Sequence, residues 1–223
     1  TWWINILNLF IKNGLRLNIN TYYMLYNEQL VLTGELDDVG TPIRTNSGSS
    51  YRMGIETEAS VKLSEDFLIK TNLTLSSNKN QQVLSKVDGK IFDFGKTNIS
   101  FSPEIITSNS IVYSPNDNLM ISFLTKYVGK QFMANTDAVN SVLDSYFVNN
   151  LNFSFNINSN QVFDQIIITG LVNNIFDKEY VSNGYYYTYD DNWSNPGQVK
   201  TLDGAGYYPQ AKRNFLLGLT VKF

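Results

Sequence analysis
The chain has 223 residues, 43% hydrophobic, 14% aromatic and 17% charged, with a net charge of -3 and neither cysteine nor histidine. The acidic balance argues against nucleic acid, whose polyanionic backbone wants a basic patch. The two missing residue types remove disulfides, thiolate and imidazole metal ligands, and Ser-His-Asp catalysis from this stretch. No run approaches the ~20 consecutive apolar residues of a transmembrane helix, so residence in a membrane would require a closed β-barrel, the other structure that satisfies its backbone in lipid.

In chain order, residues 2–11 alternate poorly and form a candidate ninth strand whose register the pattern does not assign. They carry no basic n-region or cleavage site, so they are not a signal peptide, and an exported barrel without its leader suggests a fragment. Residues 14–25 set Leu15, Leu17, Ile19, Thr21 and Tyr23 against Arg16, Asn18, Asn20, Tyr22 and Met24, a period of two and therefore a strand. Residues 51–63 are clearest. Tyr51, Met53, Ile55, Thr57, Ala59, Val61 and Leu63 share one row, and Arg52, Gly54, Glu56, Glu58, Ser60 and Lys62 the other. Every charge falls on one face. A Lys or Arg at the lipid midplane of a barrel costs about 2 to 4 kcal/mol, so the charged row belongs to a watery lumen.

Further strands are predicted at 67–77, 104–113, 119–128, 146–157 and 165–173, and a closing strand at 213–223. Tilted by about 45°, eleven residues rise roughly 26 Å, close to the ~25 Å apolar band of outer-membrane barrels. The connections at 12–13, 64–66, 114–118 and 158–164 are short, and those at 26–50, 78–103, 129–145 and 174–212 are long. Short and long alternate strictly. Antiparallel neighbours then place tight turns on one rim and large loops on the other. The expected fold is an all-β antiparallel transmembrane barrel with short periplasmic turns and long extracellular loops. Tyr23, Tyr51, Tyr127 and Tyr146 fall at loop-side strand ends and Phe67, Tyr113 and Phe223 at turn-side ends, as two aromatic girdles would.

Four segments carry a resemblance. NNIFDKEY at 173–180 after the strand ITGLV, YYPQAKRNFLLGLTVKF at 207–223, LVLTGELDDVGTPIRTNSGSSYRMGIE at 30–56 and YVGKQFMANT at 127–136 resemble the C-terminal barrel of TonB-dependent outer-membrane receptors of the Bacteroidetes type. The resemblance implies a barrel of about 22 strands closed by an N-terminal plug, importing scarce nutrients with energy from the TonB system. On that reading residues 1–223 are a single domain, some eight or nine strands from the C-terminal part of the barrel, with the plug and the N-terminal strands absent. The expected cargo is a bulky nutrient, best an iron-siderophore complex; a glycan or cobalamin importer, or a porin or adhesin independent of TonB, is the alternative. No enzymatic activity and no cofactor is expected. The implied partners are outer-membrane lipid, the TonB system through the missing region, and the barrel assembly machinery. Phe215, Leu217, Gly218, Leu219, Val221 and Phe223 resemble the final-strand signal that this machinery recognises.

Three local features invite sharper readings. Glu56 and Glu58 stand about 6.6 Å apart on one strand face, within the range of an inverting glycosidase. They share that face with Arg52 and Lys62, and a charge ladder on a hydrated wall is the plainer reading. Asp37 with Asp38, and Asp190 with Asp191 and Asn192, lack calcium-loop spacing and read as solvated loop tips. In the last long loop, Tyr185, Tyr186, Tyr187, Tyr189, Trp193, Tyr207 and Tyr208 crowd among Gly184, Pro196, Gly197, Gly204, Gly206 and Pro209. Such rings suit planar chelates or sugars and form the candidate ligand surface, and they would equally pack the loop on itself or a neighbour.

Overall fold
A computed structural model describes residues 2–11, 14–37, 39–46, 48–158 and 164–223. Nine strands form one sheet in chain order: β1 (Trp2–Ile11), β2 (Leu15–Asn27), β3 (Ser49–Lys62), β4 (Phe67–Asn80), β5 (Ile105–Asn116), β6 (Leu119–Val128), β7 (Tyr146–Asn158), β8 (Gln165–Asn173) and β9 (Asn214–Lys222). Every neighbouring pair is antiparallel, and a two-residue strand, Thr97–Asn98, adds to β4. This is an up-and-down barrel wall.

The register explains why the alternation was so legible. Leu17 stands opposite Ala59, Ile55 opposite Leu75, Ile69 opposite Ile111, Ile111 opposite Phe123, Phe123 opposite Leu151, Phe155 opposite Ile168 and Ile168 opposite Leu219. Apolar rows therefore meet across all these strands and make one continuous oily face. Its members are uncovered: Ile55 is 47% exposed, Leu75 45%, Phe215 70% and Leu217 80%. An apolar surface of this extent is what lipid covers. The opposite face carries Arg16, Asn18, Glu56, Glu58, Lys70, Asn72 and Lys126 in matching register.

β1 shows why its own pattern was obscure. Trp2 and Ile4 stand opposite Tyr23 and Thr21, but the register shifts between Asn5 and Leu7, after which Leu7, Leu9 and Ile11 stand opposite Ile19, Leu17 and Leu15. One inserted residue changes the parity. With a bulge at Ile6, even-numbered residues before it and odd-numbered residues after it stand opposite the odd-numbered row of β2. A second irregularity lies in the oily face itself. Thr71 donates to Asn109 Oδ1, and Asn109 Nδ2 donates to Thr125 Oγ1 at 3.1 Å. These groups satisfy one another along the hydrogen-bonding direction, which lowers the cost of polar atoms in an apolar setting.

Side chains make the short turns. Ser64 Oγ accepts from the amides of Asp66 and Phe67, both at 3.2 Å, and Asn116 Oδ1 from those of Asn118 and Leu119, both at 3.0 Å. The turn at 12–13 and most of that at 158–164 lie outside the described residues. On the other rim the long connections are themselves folded. The first contains the ribbon Leu30–Leu36 with Pro42–Asn46, the second Leu84–Val87 with Lys90–Asp93, and the fourth Val181–Asp191 with Lys200–Pro209. The third pairs Gln131–Phe132 with Val142–Leu143 around a 3-10 turn, Val139–Ser141. The driest packing lies at the foot of these ribbons, where Leu143 is 1% exposed, Ile99 4% and Met133 5%.

Three girdle assignments change: Tyr51 is 9% exposed with Lys96 Nζ 5.2 Å over its ring, so the second connection covers it. Phe67 and Tyr113 stack at 4.6 Å at the turn-side rim, and Tyr23 and Tyr51 at 6.3 Å at the loop side. Tyr146, however, stands opposite Val128 on the inward row and packs on Tyr180 at 4.6 Å, so it props the fourth connection instead of facing lipid. Phe223 follows the last paired residue, Lys222, instead of lying within the strand, because Lys222 opposite Gln165 ends the ladder.

Candidate functional site
The fourth ribbon rises between β8 and β9. Its register puts Tyr185 opposite Gly206, Tyr187 opposite Gly204 and Tyr189 opposite Leu202, so residues two apart share a face. On that face the ring centroids of Tyr185 and Tyr187 are 6.2 Å apart, those of Tyr187 and Tyr189 6.4 Å, and those of Tyr189 and Trp193 6.1 Å, with interplanar angles of 23°, 21° and 9°. Tyr208 continues the row at 5.9 Å from Tyr185. Five rings thus form one ladder. Glycine on the facing strand makes this possible: a Cβ at Gly206 would stand 2.3 Å from the Tyr185 ring and one at Gly204 2.6 Å from that of Tyr187. Trp193 is placed by a turn in which Asp191 Oδ1 accepts from the amides of Trp193 and Ser194; the hydrogen bond from Ser194 lowers the Asp191 carboxyl below the ordinary range.

The same alternation removes two residues from the predicted surface. Tyr186 and Tyr207 belong to the opposite face. Tyr186 is half-buried beside Asp203, and burial, with the carboxylate next in importance, pushes its hydroxyl up to about 12. The Tyr207 hydroxyl donates to the Asn140 carbonyl at 3.0 Å, and Asn140 Nδ2 donates to Asp203 at 2.9 Å. A uniform aromatic cluster was the sequence expectation; the pleat divides it into a ladder and two anchors.

That anchoring face ties the ribbon to its neighbours. Lys86 pairs with Asp190 at 2.9 Å, and Asp190 also accepts from Thr201 Oγ1 at 2.7 Å. The hydrogen bond from Lys86 holds the Asp190 carboxyl below its ordinary value, and Asp190 holds the Lys86 amine above its own. Asp88 and Thr201 bond reciprocally, amide to side chain, at 2.7 and 2.8 Å. Thr188 bridges to Glu35 of the first ribbon. Asp190 is therefore a latch and Asp191 a turn former. Asp37 likewise accepts from the amides of Val39 and Thr41, while Asp38 lies outside the described residues. No group of three or more metal-ligating carboxylates occurs among the described residues.

Two further sets of residues had no assigned role in the sequence reading beyond lying in resembling segments. Asn174, at φ 50° and 3% exposed, exchanges hydrogen bonds with Lys178, donates to Ala211 O and takes Asn150 Oδ1 on its amide. Asp177 accepts from the Arg213 amide. The NNIFDKEY segment is thus the knot that ends β8 and delivers the chain to β9. Asn135, in YVGKQFMANT, accepts from Asn80 and from the Ser100 amide, while Thr97 donates to its carbonyl and Asp137 holds Asn98. These buried bonds clamp the second and third connections together. Their signal in the sequence was a density of asparagines just beyond strand ends, where side-chain amides replace lost ladder partners.

No protein-family model and no curated protein matches the chain. Solved structures do. The chain is similar to the siderophore receptor PiuA of Acinetobacter baumannii, with 17% identity, a TM-score of 0.64, and coverage of 94% of this chain and 26% of that one. The fold is that of part of an outer-membrane β-barrel. Similar too are the ferric yersiniabactin uptake receptor FyuA of Yersinia pestis, at 15% identity and TM-score 0.60, covering 94% and 27%, and the copper transporter OprC, at 16% and 0.64, covering 96% and 30%. The chain spans between a quarter and a third of the length of these proteins, and identities this low carry the fold alone.

Proposed function
We propose that this chain is the closing part of an outer-membrane receptor that imports a bulky metal chelate, best a ferric siderophore, with TonB-derived energy. The observation that carries the reading is the two-faced meander: a continuous oily face, a charged inner face, turns on one rim and folded ribbons on the other. A soluble sheet gains nothing from that arrangement, whereas a lipid-embedded import wall needs each part. The named comparison structures are receptors and transporters rather than enzymes, which supports a binding and transport role without chemistry. A plug and further strands complete the receptor and supply the TonB contact. The ladder of Tyr185, Tyr187, Tyr189, Trp193 and Tyr208 then offers stacking faces and edges to planar arms of the cargo at the mouth. Phe215, Leu217, Gly218, Leu219, Val221 and Phe223 serve as the assembly signal.

The test is growth of a deletion strain on a panel of ferric siderophores, copper, cobalamin and glycans as limiting nutrients. Loss of growth on one ferric siderophore, restored by the full-length gene, is the expected result. Undiminished use of every iron source, with a defect on a glycan or cobalamin instead, would reassign the cargo.

A further inference from the structure
Lys79 and Asn98 stand directly opposite each other where the short strand Thr97–Asn98 adds to the loop-side end of β4. Backbone bonds fix the surroundings of the pair: the Ile99 amide donates to the Asn78 carbonyl at 3.1 Å, and the Ser76 amide to the Glu104 carbonyl at 2.8 Å. Three side chains meet on this frame. Lys79 Nζ donates to Asn98 Oδ1 at 2.5 Å and to Glu104 Oε1 at 2.9 Å, and the lysine side chain is 22% exposed. Asn98 Nδ2 donates to Asp137 Oδ2 at 2.9 Å, while Asp137 Oδ1 accepts from the Asn98 amide, also at 2.9 Å. One carboxylate thus holds the nitrogen end of the carboxamide and leaves its oxygen end to the amine. The neighbours are dry: Tyr51 opposite Lys79, Thr97 and Ile99 are all buried.

The amide carbon of Asn98 is one carbonyl bond beyond Oδ1 and therefore lies within about 3.7 Å of Lys79 Nζ, near the roughly 3 to 3.5 Å at which reacting atoms are poised. An amine, a carboxamide and a carboxylate in mutual contact are the two reactants and the base of a transamidation. We propose that Lys79 and Asn98 join spontaneously in an isopeptide bond. The Glu104 carboxylate takes a proton from the Lys79 ammonium, and the freed electron pair of Nζ attacks Asn98 Cγ. The new C–N bond forms, and the Cγ–Nδ2 bond breaks with its electrons leaving on nitrogen. Of the three ammonium protons, one stays on the new amide, one goes to the departing nitrogen, and one passes through Glu104 to that same ammonia, which leaves as ammonium. Glu104 is a carboxylate again at the end, and no oxidant, reductant or other co-reactant is consumed. Asp137 is a positioning residue that orients the carboxamide through both of its oxygens. The bond would close the chain from 79 to 98 around the hairpin whose Lys86 and Asp88 hold the fourth ribbon, anchoring that latch covalently to the wall.

The test is peptide mapping by mass spectrometry of the full-length receptor, both purified from the outer membrane and refolded from urea into detergent with sampling over time. A branched tryptic peptide that joins the Lys79 and Asn98 segments, lighter by one ammonia than the two together and uncut after Lys79, should accumulate as the barrel folds. It should be absent from chain held in urea. Lys79→Arg and Asn98→Ala should each leave the two peptides separate, and Glu104→Gln should slow formation of the branch by about a hundredfold. Heat-modifiable migration in gels checks that each variant is a folded barrel, and the wild-type map decides the matter whatever the variants do. Unlinked peptides with intact Lys79 and Asn98 in the folded wild type, as a plain ion pair predicts, overturn the proposal. So does Asn98 converted to aspartate without a branch, which marks attack by water. Linkage at the wild-type rate in Glu104→Gln overturns the role of Glu104 as the base.

Discussion

Gly54 lies on the inward row of β3, where an added Cβ would meet the Leu75 carbonyl oxygen at 2.6 Å and the Tyr22 hydroxyl at 2.7 Å. A residue can thus face water and still admit no side chain. Charge tests of the wall must avoid it. Ile55, 47% exposed on the oily face, is the informative site: Ile55→Arg places a cation in hydrocarbon at a cost of about 2 to 4 kcal/mol. Ser60 stands between Arg16 and Lys70 and would add like-charge repulsion, whereas Thr74 stands opposite Glu56. Thr74→Arg is therefore the matched control. Full-length receptor carrying Ile55→Arg should assemble poorly by heat-modifiable migration while Thr74→Arg assembles as wild type, and equal assembly of the two would contradict the register.

At the scale of the element, the fourth ribbon is held by a latch that responds to pH in a stated direction. The Asp190 carboxyl is lowered, chiefly by the hydrogen bond from Lys86, so its contribution is present above the ordinary carboxylate pKa and is lost as pH falls through the lowered value. The Lys86 amine is raised, so its share is complete below the ordinary lysine pKa and is lost only as pH rises through the raised one. The latch therefore holds across the neutral range. Protection of the Asp88 and Thr201 amides against hydrogen exchange, taken relative to the intrinsic rate at each pH, should fall in strong acid, and Asp190→Asn should show the lowered protection already at neutral pH. Unchanged exchange in that variant would assign the docking to the Tyr207 and Thr188 contacts instead. The asparagine knots are sturdier. Asn174 is 3% exposed and serves several backbone groups at once, so Asn174→Ala should cost about 1 to 3 kcal/mol through unpaired buried groups, read as increased protease cleavage after β8.

Taken as a whole molecule, the wall has a direction. With the ribbons outside and the turn at 64–66 in the periplasm, a cysteine at Ser194 of the full-length receptor should react with an impermeant reagent on intact cells, and one at Ser64 should not. The absence of native cysteine leaves this region without background. Labelling at Ser64 with silence at Ser194 would invert the topology. The chain end offers a second test. Phe223 is 85% exposed and stands beyond the last ladder pair, so its removal forfeits little packing in the wall. A steep fall in assembled receptor on deleting Phe223 would consequently report lost recognition by the assembly machinery, and full assembly would leave the terminal aromatic without that role.

Strands β2 to β9, the strict alternation of turns and long connections, and the assignment of charges to one face were all legible in the sequence, because the pleat has a period of two and lipid tolerates no charge on one side of it. β1 was not, since the bulge at Ile6 exchanges even for odd and hides a period of two that only its pairing with β2 reveals. The aromatics of the last connection could be counted but not sorted. Tyr185 and Tyr186 are adjacent in sequence and opposite in space, and which faces the ladder depends on the glycines across the ribbon and on Asn140 and Asp203 from elsewhere. Tyr146 shares the even-numbered row of β7 with Asn150, Asn152 and Ser154, so its inward place follows from alternation alone, whereas its packing on Tyr180 of the fourth connection does not. Local alternation follows from the backbone and can be read from a single strand. Which strand lies opposite, where a bulge resets parity, and which distant groups meet, as Lys79, Asn98 and Glu104 do, are decided only when long-range pairs form.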